Sequence, residues 1–169
     1  MENIILIGMP GAGKSTVGVI LAKILGYQFI DSDLLIQEEE HRLLHEIIEQ
    51  EGTDGFIAIE NRVNSRISAR RSVIATGGSV VYGREAMEHL RRIGTVIYLK
   101  LDYDALTARL GNIKNRGVVL KDGQTLPDLY KERTPLYERY AHLTVDEGSE
   151  SLEAMVQKLL TALQDYQKK

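Results

Sequence analysis

Eight residues near the amino end constrain this chain most: Gly8-Met9-Pro10-Gly11-Ala12-Gly13-Lys14-Ser15 reads G-x-x-x-x-G-K-S without a mismatch. The run follows the apolar stretch Ile4-Ile5-Leu6-Ile7 and opens a helical pattern that ends at Leu25. A strand, a tight glycine turn and a helix N-terminus are the three parts of a phosphate cradle. The glycines let backbone N–H groups turn inward around phosphate oxygens, and the helix dipole adds partial positive charge there. In such a loop Lys14 reaches the β- and γ-phosphates and the Ser15 hydroxyl ligates Mg²⁺. The spacing predicts a nucleoside triphosphate site rather than an ordinary glycine-rich βα turn.

The rest of the chain narrows the setting. Its 169 residues suit one domain, here 1–169, with 43% hydrophobic and 27% charged residues, a normal globular balance. A net charge of −3 gives no general attraction to nucleic acid or an anionic membrane. Without cysteine there is no disulfide framework and no thiolate metal site. No run approaches the ~20 apolar residues of a membrane span, and the N-terminus enters a strand directly, without a visible signal peptide. The expectation is a soluble, cytoplasmic, monomeric protein with a small-molecule partner, no nucleic acid and no membrane.

Short apolar runs bounded by turns predict parallel strands at Asn3–Ile7, Gln28–Asp31, Ser72–Ala75 and Val96–Lys100, with a weaker fifth at His142–Val145. Helical patterns cover Lys14–Leu25, Asp33–Glu51, Thr53–Arg70, Gly83–Gly94, Tyr103–Leu110, Leu126–Tyr140 and Ser151–Gln167. This alternation predicts an α/β fold, a three-layer α/β/α sandwich around a five-stranded parallel sheet. Right-handed crossovers then bring the loops after the strands to one edge. The phosphate loop, Asp31-Ser32-Asp33 and Thr76-Gly77-Gly78-Ser79 all fall there. The helices between Asp33 and Arg70 are long for a crossover and are expected to form a lobe, about 33–62, over the cleft. The polar stretch 111–125 reads as a lid that excludes water.

With these pieces in order, the chain resembles the shikimate kinase family of P-loop kinases, related in fold to nucleoside monophosphate kinases. The resemblance runs from about Asn3 to Val145. It is carried by GMPGAGKSTVG at 8–18, F-I-D-S-D at 29–33, A-T-G-G at 75–78, G-T-V-I-Y-L at 94–99, Arg109 seven residues before Arg116, and E-R-T-P-L-Y at 132–137. It implies that Gly11, Ala12, Gly13, Lys14, Ser15 and Thr16 bind ATP phosphates, with Mg²⁺ on Ser15 and, through water, on Asp31. It further implies that Asp33 holds the acceptor's hydroxyls and that Phe56, Gly77 and Gly78 wall the acceptor. Arg133 would grip a carboxylate, Arg109 would lie near adenine, and Arg116 would close on the phosphates. Lys14, Asp33 and Arg116 are then the catalytic set. The implied activity is ATP- and Mg-dependent phosphorylation of the 3-hydroxyl of shikimate, a step of aromatic amino acid biosynthesis.

Physical chemistry points the same way. Phosphoryl transfer is mostly positioning and electrostatic stabilisation, and an acid at Asp33 can orient or deprotonate an attacking hydroxyl. Asp31 and Asp33 also suit a helix N-terminus, where negative charge is favourable.

Three departures bear on the acceptor. The family pattern Gly-Glu-x-x-Phe-Arg-x-x-Glu appears as Gly52-Thr53-Asp54-Gly55-Phe56-Ile57-Ala58-Ile59-Glu60, so isoleucine stands where an arginine would grip a carboxylate. Losing one partner of a desolvated charged pair costs about 10²-fold or more in affinity. Arg42, Arg62, Arg66 or Asn61 are candidate replacements. The third glycine of the Gly-Gly-Gly turn is Ser79, which would either touch the acceptor or cap a turn, and the lid reads Arg116-Gly117-Val118-Val119 instead of Arg-Pro-Leu-Leu. These departures keep open a same-fold kinase of another small polyol or hydroxy acid, or a catalytically silent nucleotide-binding protein. His41 and His45, spaced i and i+4, form at most an incomplete metal pair.

Overall fold

The computed structural model describes residues 2–110, 123–148 and 150–169. Five strands, β1 (Asn3–Ile7), β2 (Gln28–Asp31), β3 (Ser72–Ala75), β4 (Gly94–Leu101) and β5 (Leu143–Glu147), form one sheet in the order β2-β3-β1-β4-β5. Every neighbouring pair is parallel. Parallel strands need a crossover between them. Here α1 (Lys14–Leu25), α2 (Ser32–Glu40) with α3 (Leu44–Ser65), α4 (Arg84–Ile93), α5 (Tyr103–Leu110) and α6 (Leu126–Tyr140) lie in those crossovers, and α7 (Leu152–Gln167) follows β5.

Strand β1 is buried along its whole length, as a central strand covered on both faces must be. Alternate side chains of β1 serve opposite faces. Ile5 and Ile7 join Met87, Leu90, Tyr98 and Tyr137 in one core layer. Ile4 and Leu6 join Val17, Leu21, Leu159 and Leu163 in the other. A third cluster, around Ile36, Ile47, Phe56 and Val63, stabilises the lobe formed by α2 and α3.

The lobe differs from the periodicity reading. The pattern predicts one helix from Asp33 to Glu51, but α2 ends at Glu40, where His41 adopts a left-handed conformation with φ 52°. The next helix restarts at Leu44, with the Glu46 carboxylate accepting from the Leu43 N–H. It then bends at Gly52, whose φ of 73° and ψ of 178° lie outside helical space. The apolar pattern continues through the break at His41 because both segments pack the same face on the lobe core, so periodicity alone does not show it. The break at Gly52 falls where the pattern separates Asp33–Glu51 from Thr53–Arg70, and the second of these helices ends at Ser65 instead of Arg70. Strand β4 extends two residues earlier than the apolar run, because Gly94 and Thr95 pair with Asn3 and Ile4.

Candidate active site

The phosphate loop, α2 and the turn after β3 surround a cavity of about 400 Å³ at the carboxyl edge of the sheet. The sequence places glycine at 13 because the start of α1 needs a left-handed residue there, with φ 75°. No side chain caps this helix start, and the first-turn residues Lys14, Ser15 and Thr16 line the cavity. Uncapped amides at a helix N-terminus are donors for an anion. The Lys14 ammonium is buried and donates to the carbonyls of Gly8 and Met9 at 2.8 Å each. Burial pushes it down to about 8, against the opposing pull of the Asp33 carboxylate.

Asp31 makes two contacts, of which the helix cap is one of its sequence readings. Its Oδ1 accepts from the Asp33 N–H at 3.0 Å and so caps α2, while its Oδ2 accepts from the Ser15 hydroxyl at 3.1 Å. Asp33, two residues on, lines the cavity instead. Burial, and then the neighbouring Asp31 charge, push its carboxyl up to about 6, while Lys14 pulls the other way.

The opposite wall comes from β3, α3 and α6. Gly77 has no room for a side chain: a Cβ there would lie 2.8 Å from Asp33 Oδ1 and 2.9 Å from Glu60 Oε2. At Gly78 it would lie 2.7 Å from Pro10 Cδ and 2.9 Å from Arg133 Nη1. Arg133 is 1% exposed, its Nε donating to the Tyr82 hydroxyl at 3.3 Å and its guanidinium lying over the Tyr82 ring. One turn later on α6, the Tyr137 hydroxyl donates to the Gly78 carbonyl at 2.5 Å, which fixes the glycine turn against the arginine's helix. Phe56 is buried in the lobe core and presents an edge to the cavity.

Lys14, Asp33, Phe56, Gly77, Gly78 and Arg133 therefore converge on one cavity. Arg109 lies at its margin: its guanidinium pairs with Glu147 at 2.7 Å and reaches the Gly11 carbonyl at 3.4 Å. Arg116 and lid residues 111–122 lie outside the described residues. None of the replacements for an arginine at 57 lines the cavity. Arg42 and Arg62 both pair with Glu40, and Arg42 also with Glu51. Arg66 borders a separate hollow with Glu38 and Glu39. Asn61 donates to Glu85 and accepts from the Ala86 N–H. Among the described residues, no group of three metal-ligating side chains includes the two histidines. Ser79 neither caps a turn nor is exposed; its hydroxyl donates to Glu60 at 2.5 Å.

A family model for shikimate kinase matches residues 10–164. The chain belongs to the shikimate kinase family. It is 33% identical to "Shikimate kinase 2" of Yersinia enterocolitica, over 97% of each chain. It is 40% identical to the "Shikimate kinase" of Nitrosomonas europaea, over 95% of this chain and 78% of that one. A solved shikimate kinase from Acinetobacter baumannii, in complex with shikimate, superposes with a TM-score of 0.90 at 35% identity, covering all of this chain and 96% of that one. Membership makes the protein a phosphotransferase that acts on a hydroxyl acceptor with a nucleotide as donor. The expected α/β fold with five parallel strands is the fold observed. No described helix is long and apolar enough to cross a membrane.

Around this cavity, sequence reasoning gave no functional role to Glu60, Tyr82 or Glu147. For Glu60 a signal was available: it is a lone acid one turn after Phe56, in the apolar run Phe56-Ile57-Ala58-Ile59. A charge on the buried face of a helix needs a reason, because burying it without a partner is costly.

Proposed function

We propose that this protein transfers the γ-phosphoryl group of ATP to the 3-hydroxyl of shikimate, with Mg²⁺ as the metal. The observation that carries this reading is the pairing, across one cavity, of an uncapped phosphate loop holding Lys14 with a wall holding Asp33 and the buried Arg133.

Gly11 to Thr16 would cradle the phosphates through backbone N–H groups, and Lys14 is held by two carbonyls at the height of the loop. Arg109 reaches the rim of the same loop from α5, on the side assigned to adenine. The Ser15 hydroxyl and an Asp31 carboxylate oxygen, 3.1 Å apart, are hard oxygen donors suited to Mg²⁺ and its water shell. Bound there, the ion would neutralise charge on the transferring phosphates.

On the acceptor side, Arg133 would hold the carboxylate of shikimate, and Gly77, Gly78 and Phe56 would set its distance from the loop. Asp33 would orient the attacking hydroxyl. As that oxygen bonds to the γ-phosphorus and the bond to ADP breaks, the hydroxyl proton passes to the Asp33 carboxylate. Its elevated proton affinity makes Asp33 a better base than an exposed aspartate. The cation expected at Arg116 lies outside the described residues, and none of these steps depends on it.

One observation favours a second acceptor, another small polyol or hydroxy acid: Ile57 does not line the cavity, and the cations that do, among the described residues, are Lys14 and Arg133. ADP release from purified protein with Mg-ATP, measured with shikimate and with a panel of sugars and hydroxy acids, separates the readings. Shikimate-dependent turnover at sub-millimolar substrate is expected. Stimulation by another acceptor alone would replace shikimate, and tight ATP binding without any stimulated turnover would point to a silent nucleotide-binding protein.

A further inference from the structure

Arg133, the cation proposed to grip the acceptor carboxylate, is held by a side chain that does not itself line the cavity. Tyr82 ends the 3-10 turn Val80–Tyr82 that follows the glycine turn. Its hydroxyl accepts from Arg133 Nε at 3.3 Å, and the guanidinium carbon lies 5.4 Å from its ring centre. One residue thus meets the guanidinium twice, with an oxygen lone pair and with a π face. In this orientation Arg133 Nη1 is turned to the glycine wall, 2.9 Å from the point where a Cβ on Gly78 would sit.

The turn that carries Tyr82 is fixed at both ends. At its start the Gly78 carbonyl takes the Tyr137 hydroxyl, which comes from the same helix as Arg133. The Tyr82 N–H closes on the Ser79 carbonyl at 3.1 Å and the Gly83 N–H on the Val80 carbonyl at 3.0 Å. Val80 and Val81 are buried in the core. Gly83 packs so tightly on α3 that a Cβ there has no room beside Asn61, which also accepts from the Ala86 N–H. Burial pushes the Tyr82 hydroxyl above its ordinary value against the pull of Arg133, and a hydrogen bond to the Glu132 carboxylate adds to the rise. Glu132 in turn accepts from the Gln124 amide at 2.7 Å. The phenol that faces Arg133 is therefore neutral and anchored on its far side.

Freezing a long, rotamer-rich side chain when a ligand arrives costs affinity, and a side chain already fixed avoids that cost. The orientation of Arg133 counts for more in this chain, because Ile57 brings no cation of its own. We propose that Tyr82 is a positioning residue, acting through Arg133, whose hydroxyl and ring fix the guanidinium in the orientation that meets the acceptor carboxylate. The proposal rests on the reading that Arg133 grips the carboxylate of shikimate.

The test compares shikimate with its carboxamide analogue, at saturating Mg-ATP, in the wild type, Tyr82→Phe and Tyr82→Leu. The two acceptors share every hydroxyl, and only shikimate carries the charge that Arg133 would hold. Phenylalanine keeps the ring and removes the hydroxyl, whereas leucine removes both contacts and still fills apolar space. The KM for shikimate should rise about three- to tenfold in Tyr82→Phe, the effect of one lost hydrogen bond. It should rise further in Tyr82→Leu, with kcat and the KM for ATP nearly unchanged. The carboxamide, met only by weaker neutral hydrogen bonds, should lose much less. Equal losses for both acceptors would assign Tyr82 to the fold alone, and no loss for either would show that Arg133 needs no holder. Either result overturns the proposal. A second readout needs no acceptor: the side-chain Nε–H resonance of Arg133 in ¹⁵N NMR, identified by its disappearance in Arg133→Lys. It should be protected from exchange in the wild type, shift in Tyr82→Phe and lose protection in Tyr82→Leu. An unchanged resonance in Tyr82→Leu would overturn the proposal whatever the kinetics. A wild type that turns over both acceptors equally, or neither, would instead overturn the grip of Arg133 on a carboxylate and the proposal with it.

Discussion

Arg109 and Glu147 form a 2.7 Å ion pair that joins α5 to the end of β5 and lies against the phosphate loop. The glutamate is the buried member: its side chain is 7% exposed, against 38% for the arginine. Its Oε1 lies 3.7 Å from the point where a Cβ on Gly13 would sit, and the same guanidinium nitrogen reaches the Gly11 carbonyl. The arginine proposed to lie near adenine is thus also the partner of a buried carboxylate, and under that proposal nucleotide affinity and stability would share one side chain.

Arg109→Ala should therefore raise the KM for ATP and also destabilise the fold by about 1–3 kcal/mol, because Glu147 is left buried without its cation. In a Glu147→Gln background there is no charge to strand, and the same substitution should cost roughly 1 kcal/mol or less. Urea unfolding of the four proteins in this double-mutant cycle checks the coupling. Equal losses in both backgrounds would show that the pair stabilises nothing.

Asp33→Asn should abolish transfer and leave ATP binding nearly intact. The carboxylate lines the cavity and takes part in no helix cap, since that task falls to Asp31. An amide preserves shape but accepts no proton, and a lost general base typically costs about 10²–10⁴ in rate. Single-turnover ADP formation, compared with nucleotide affinity by calorimetry, separates the two effects. Loss of nucleotide affinity would mean that Asp33 serves the donor side.

The sheet and the donor half were legible because each depends on contiguous residues. The apolar runs set the strands, and the phosphate loop is one unbroken string ending at the helix it caps. The acceptor half was legible only in parts. Asp33, Gly77, Gly78 and Arg133 stood in recognisable motifs with a stated role; Glu60 and Ser79 stood in motifs too, but nineteen residues apart, and their hydrogen bond to each other is not written in either motif. The break at His41 was hidden for a related reason: both segments bury the same face, and a left-handed histidine leaves no mark in an apolar pattern. Asp31 had two readings in sequence, and its two oxygens face different partners: one caps α2 and the other takes the Ser15 hydroxyl.

Ile57→Arg tests how far the acceptor wall tolerates a second cation. Ile57 packs at the edge of the lobe core and stands three residues before Glu60, on the same stripe of α3. The exchange gives up apolar packing worth about 1–2 kcal/mol but places a guanidinium on the helix whose Phe56 and Glu60 line the cavity. The KM for shikimate at pH 7 should fall several-fold, with a modest drop in melting temperature. A KM that stays level or rises, in a variant that remains folded, would show that the wall is built for an acceptor held by Arg133 without a second cation.

Glu60 leaves a signature on stability that needs no substrate. Its carboxyl is raised from an ordinary 4.5 to about 7 in the folded protein, chiefly by burial. On raising the pH, the unfolded chain loses this proton first and the folded one only near neutrality. The stabilisation is therefore fully present below about pH 4.5 and is lost as pH rises through 7. A shift of this size corresponds to about 3 kcal/mol. Glutamine at 60 does not titrate. The stability of the wild type relative to Glu60→Gln should thus fall by about 3 kcal/mol between pH 4.5 and 8, most steeply between 5 and 7. Urea unfolding of the two proteins at half-unit pH steps gives this difference directly, with Asp33 and Lys14 entering it only through their coupling to Glu60. A difference that stays level with pH would mean that Glu60 ionises in the fold as it does in the unfolded chain, with its charge met by Arg133 and Lys14.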